Sequence, residues 1–186
     1  MSSQNGPQGL GANIDEGYLI DVLTELAKVP TEVPLGPDTF MEPDDPKLVH
    51  YVQNVLRPKL NDVGIQASDV PDNQLLVKYG DGTSDAALLV MVYTPAQHNN
   101  LMDDPLSGKI ANAAEWGYDE PCVFGQGVSQ NKAHHAVMLA VFKLFVEQDV
   151  RLAGTLYFAV NNEGLSSHQC TENILKVLDP KPDFCL

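Results

Sequence analysis

The chain has 186 residues, 44% of them hydrophobic, with 25 acidic against 11 basic residues and a net charge of -14. That length supports one buried core, and the acidic excess disfavours nucleic acid and anionic membrane surfaces as partners. No apolar run approaches the roughly 18 to 20 residues of a membrane span, and the opening MSSQNGPQGLGANIDEG has neither a basic region nor an apolar one, so a cytoplasmic location is expected.

The polar, Gly-rich residues 1 to 14 read as a flexible N-terminus, and residues 15 to 186 as the folded domain. Leu19, Val22, Leu23 and Leu26 recur at helical spacing, and Pro30 ends the pattern. From Thr31 to Pro46 the prolines and acidic pairs predict a loop. Leu48, Val49, Val52, Val55 and Leu56 predict a second helix, kinked or shortened by Pro58 and stopped at Gly64.

QLLVKY at 74–79 and AALLVMVY at 86–93 read as strands, and the DGTSD between them predicts a hairpin. The second run barely alternates, as expected of a central strand covered on both faces. AHHAVMLAVFKLFVE at 133–147 predicts a helix packed deep against a sheet, and GTLYFAVN at 154–161 another buried strand. This order predicts a layered α/β domain. Cys122, Cys170 and Cys185 have no CxxC spacing and read as reduced thiols.

Ligands of such sheets collect beyond the carboxyl ends of the strands. Three segments lie there: Tyr93 to Asn100, Phe124 to Lys132, and Asn161 to His168. Among their residues His98 reads either as a ligand or as a loop histidine, and Glu163 either as a functional carboxylate or as the cap of a following helix. His135 and His168 read as possible contacts to a substrate or as helix-start residues. Lys132 reads either as a functional lysine or as a solvated or helix-start one, and Ser166 and Ser167 read as capping residues.

LAKVPTEVPLG, DDPLSGKI, FGQGVSQNK and NNEGLSS, in this order along nearly the whole chain, resemble the aminoacylase, carboxypeptidase G and acetylornithine deacetylase metallopeptidases. The resemblance implies an α-β-α domain with a mixed, mostly parallel central sheet, a divalent metal cofactor (Zn, or Mn or Co), and hydrolysis of a C–N bond in a small carboxylate-bearing substrate. It places Thr94 and Ala96 where the family has the His and Asp of G-H-x-D. Gln130 falls at the metal-bridging Asp, Gln126 at an Arg, and Asn162 at the general-base Glu. Glu163 alone matches, at the second Glu. The implied site is then Glu163 as catalytic residue, His98 and Glu163 as metal ligands, and Gln130, His135 and His168 as substrate contacts. The family's lid domain and C-terminal catalytic segment have no counterpart in residues 15–186, so this chain alone is expected to be inactive, and the full-length protein to be a possible homodimer. Three readings stand open: a divergent metallohydrolase, a non-catalytic relative that keeps the fold for binding or assembly, and metal-free acid/base chemistry in the same pocket.

Overall fold

A computed structural model describes residues 14–34, 41–97, 102–163 and 168–186. The expectations for the flexible N-terminus, His98, Ser166 and Ser167 fall outside these residues.

α1 (Glu16–Ala27) starts where the Asp15 carboxylate accepts the Tyr18 N–H, and it buries Val22, Leu26 and Ala27. The second predicted helix is continuous but not uniform. α2 (Pro46–Val49) passes into a π-helical turn (His50–Leu56) and then α3 (Arg57–Asp62). Pro58 has no N–H, and its ring would clash with the carbonyl four residues back in an α-helix. The wider turn relieves this: the Arg57 N–H donates to Val52 O, five residues back, and the helix runs through Pro58 to Asp62.

The main sheet contains β1 (Ser68–Val70), β2 (Gln74–Tyr79), β3 (Ala87–Tyr93), β6 (Thr155–Asn161) and β7 (Phe184–Cys185), in the order β1-β2-β6-β3-β7. β4 (Lys109–Asn112) and β5 (Pro121–Phe124) form a separate antiparallel ribbon. The main sheet is mixed: β1 with β2 and β2 with β6 run antiparallel, β3 with β6 and β3 with β7 parallel.

The predicted hairpin between β2 and β3 is not formed, because β6 lies between them. All seven β6 residues are buried, so both its backbone edges need strand partners and both its faces need cover. The segment after β2 instead crosses beneath β6, with the Asp81 N–H donating to Leu152 O at 2.9 Å and the Ser84 N–H to Ala153 O at 2.8 Å. Gly80 makes that crossing at φ +128°, and a Cβ there would lie 2.1 Å from Gly154 O.

Even-numbered residues of β3 and β6 face one side. Val92, Leu156, Phe158 and Val160 pack there with Leu26 of α1, Tyr51 and Val52 of the π turn, and Leu139 and Phe142 of α4 (Asn131–Glu147). Odd-numbered Leu89, Tyr157 and Ala159 pack against Ile174 of α5 (Gln169–Val177) and Leu178. The result is the expected α-β-α sandwich. Each fully buried large apolar side chain contributes roughly 1.5–3 kcal/mol to it. No helix among the described residues is long and apolar enough to cross a membrane.

Candidate functional site

The three segments flagged by the sequence meet at the carboxyl ends of β3 and β6. The Thr94 N–H donates to Asn161 O at 2.8 Å, which continues the β3–β6 pairing past Tyr93. At the start of α4, the Asn131 carboxamide donates to Thr94 O at 2.6 Å and Pro95 O at 2.9 Å. Gln126 is 5% exposed and donates to Gln97 O at 2.7 Å. Gly127 lets the loop fold tightly against these bonds: its φ is +77°, and a Cβ would meet Asn131 Oδ1 at 2.9 Å.

Lys132, read from sequence as a helix-start lysine, is fully buried. Its ammonium donates to Val29 O at 2.7 Å and Ala27 O at 3.4 Å, satisfying carbonyls at the end of α1. Burial pushes its pKa down to about 8, and the Glu32 carboxylate opposes the shift. Glu32 itself pairs with Lys47 and bridges to Ala96, tying the end of α1 to the segment after β3.

The predicted site residues fall in different surroundings. Thr94 and Asn162 are buried, each with a side-chain oxygen that has no partner. The Asn162 carboxamide donates to Asn73 O at 2.6 Å and Asp72 O at 3.4 Å, so it anchors the turn before β2. Glu163 accepts the N–H groups of His168 at 3.0 Å, Cys170 at 3.2 Å and Thr171 at 3.4 Å; its carboxylate sits at the start of α5 in the capping arrangement. His168 is exposed with φ +56° and opens α5.

His135 points into the core instead of the cavity. It has no exposed surface, its Nδ1 lies 3.1 Å from the Tyr51 hydroxyl, and its ring meets Phe158 edge-on at 6.2 Å. Burial, and then the neighbouring His134 and Lys132, lower its pKa to about 3, so the ring is neutral. His134, one residue earlier, is the exposed member of the pair. Gln130 is exposed just before α4, makes no side-chain cap, and lines a cavity.

That cavity measures ≈ 360 Å³. Its walls are the Val123 to Gln130 segment on one side and Gln97 and Met102 on the other. Phe124 packs against Trp116 with the two rings tilted and their centroids 5.1 Å apart. The sequence marked both flanking segments, Phe124 included, but missed Met102 and Val123; the placing of Val123 depends on the β4–β5 ribbon. The Gly-Gln-Gly sequence at 125–127 was the available signal for a close backbone wall.

A two-zinc centre does not fit this donor set. Among the described residues no group of three His, Cys, Asp or Glu side chains is placed to hold a metal ion. Thr94, Ala96, Gln130 and Asn162 carry no negative charge to offset two cations, and the Glu163 carboxylate is engaged at α5.

Comparison with solved structures locates the fold. A tripeptidase from Staphylococcus aureus subsp. aureus Mu50 superposes over 92% of this chain with a TM-score of 0.60 at 17% identity. Human carnosine dipeptidase 1 does so over 95% with a TM-score of 0.64 at 12% identity. The chain shares the fold of these peptidases. An M20 family metallo-carboxypeptidase from Sulfolobus solfataricus matches over 78%, with a TM-score of 0.51 and 17% identity. The chain spans only 43%, 38% and 30% of these three proteins. No protein-family model and no curated protein matches the sequence.

Proposed function

We propose that this domain uses the metallopeptidase fold to bind a small amide or peptide-like molecule without metal-assisted cleavage. The supporting observation is the fate of the matched positions. Asn162 spends its carboxamide on the carbonyls of Asn73 and Asp72, and Glu163 spends its carboxylate on α5. An amide at the general-base position cannot take a proton from water at neutral pH. The protein should therefore carry less than stoichiometric Zn, Mn or Co after reconstitution and dialysis, measured by elemental analysis. One metal ion or more per chain would sink this reading.

A second reading, a divergent C–N hydrolase in the cytoplasm, draws support from Glu163, a carboxylate placed directly beyond the fully buried β6. There His98 and Glu163 would hold a divalent metal, with further ligands from a longer protein. It requires that Glu163→Gln lower metal content; unchanged content removes Glu163 from any metal site.

A further inference from the structure

The β4–β5 ribbon is closed by a short turned loop that holds two aromatic rings out of the protein. Asn112 Oδ1 accepts the Ala114 N–H at 2.7 Å, and the N–H groups of Trp116 and Tyr118 donate to Ala113 O at 2.9 Å and 3.3 Å. Ala113 is buried and anchors the turn, and Gly117 follows at φ +86°. Trp116 and Tyr118, two residues apart, stay 59% and 62% exposed. A backbone tied in this way presents its rings with little left to order, which lowers the cost of binding. Single exposed apolar residues are ordinary, but a tryptophan and a tyrosine on one held loop have the composition of an interface centre.

Charge decides the occupant. Between positions 109 and 124 the only cation is Lys109, whereas Glu115, Asp119 and Glu120 flank the two rings with carboxylates. All three are exposed, and none pairs with a cation among the described residues. The ribbon already seats one cation on a ring: Lys109 Nζ lies 5.9 Å from the Phe124 centroid, and Trp116 packs against that same ring. We infer that the Trp116 to Tyr118 loop docks an extended, arginine-bearing segment of another protein. A guanidinium stacks on the face of an indole or phenol and also forms paired hydrogen bonds with a carboxylate, so it uses both kinds of group that the loop displays. A lysine meets the carboxylates as a point charge but matches the rings less well. A second copy of this chain fits poorly, because it brings another net charge of -14 to the contact.

The inference goes beyond the function proposed above, and metal content has no bearing on it. Trp116 is the one tryptophan of the sequence, so its fluorescence reads the loop directly, with calorimetry as the second measurement. The probes are a blocked pentapeptide with two arginines around a leucine, its counterparts carrying glutamines or glutamates in place of the arginines, and spermidine, a cation that is not a peptide. The arginine peptide should bind saturably and at least about tenfold tighter than the other three probes. By calorimetry, Trp116→Ala should weaken it at least about fivefold, and Trp116→Phe should restore part of the loss. Glu115→Gln, Asp119→Asn and Glu120→Gln combined should weaken it by a similar factor. These positions are exposed, so the urea midpoint of each variant should match wild type; if Trp116→Ala unfolds, the amide variant and Trp116→Phe decide. Any other probe binding as tightly as the arginine peptide, or no saturable response, overturns the inference. Full binding by Trp116→Ala also overturns it, since negative charge alone would then attract the peptide. Dimerisation without peptide that is lost in Trp116→Ala would assign the loop to a second copy instead.

Discussion

Replacing Lys132 with methionine removes a buried ammonium while keeping most of the side-chain volume. The ordinary value of this amine is 10.5 and its folded value about 8. Between the two, the unfolded chain binds a proton that the folded chain does not, so the wild-type protein gains stability as pH rises through that window. The full shift corresponds to about 3 kcal/mol of penalty below the folded pKa. At neutral pH the variant escapes this penalty but loses the bonds to Ala27 O and Val29 O, worth about 1.5–3 kcal/mol for a charged donor, so its stability stays close to that of wild type. Linkage then makes the wild type about 2 kcal/mol more stable relative to the variant at about pH 9.5 than at about pH 7. Cys170, whose thiol burial pushes up to about 12, titrates in the opposite sense above 9.0 in both proteins and cancels in the difference. Urea unfolding at a series of pH values, with equal slopes for both proteins, gives the two curves. A difference that stays constant within about 0.5 kcal/mol across the series refutes the buried-ammonium reasoning.

Glu163→Gln should lower stability by about 0.5–1.5 kcal/mol and raise amide exchange at the start of α5, because a charge facing the helix N-terminus is lost; unchanged exchange there argues against the capping role. His135→Leu should flatten the acid limb of stability. The wild-type histidine takes up a proton near 6.5 when unfolded but only near about 3 when folded, so wild-type stability falls as pH drops through that window. Parallel wild-type and variant profiles between about pH 7 and about pH 4 would contradict this. Gly80→Ala should destabilise by at least about 2 kcal/mol in chemical unfolding, since its Cβ would collide with the Gly154 carbonyl and its φ lies in the region glycine favours. A cost under about 0.5 kcal/mol would show that the crossing beneath β6 can shift.

The sequence made the long apolar elements legible: α1 shows its helical period, and α4, β3 and β6 are apolar runs marked by their length and flanking residues. It gave no sign of β6's position, because DGTSD has the local chemistry of a hairpin while the competing partner lies some 70 residues away. β1, β4 and β7 are too short for a pattern to emerge. At the site, the three segments were readable from strand ends, but side-chain direction was not. His134 and His135 are neighbours, and only the helix phase decides which meets Phe158. Lys132 looked solvated because lysine seldom is fully buried; the carbonyls it serves belong to α1, far away in sequence. Glu163 was seen as one of two things, and its contacts follow the capping alternative.

The placement of β6 between two strands that precede it has a kinetic meaning. β2 and β3 are emitted early; β2 can pair with β1 at once, but its other edge and both edges of β3 have no partner until residues 155–161 or later have been made. During synthesis, two apolar segments therefore wait with open edges for more than 60 residues of further chain. Such delays slow folding and leave strands open to mispairing with other chains. The central strand that closes the sheet is thus also the element that times its assembly, and α4, made just before it, is the natural cover for the exposed face in the meantime.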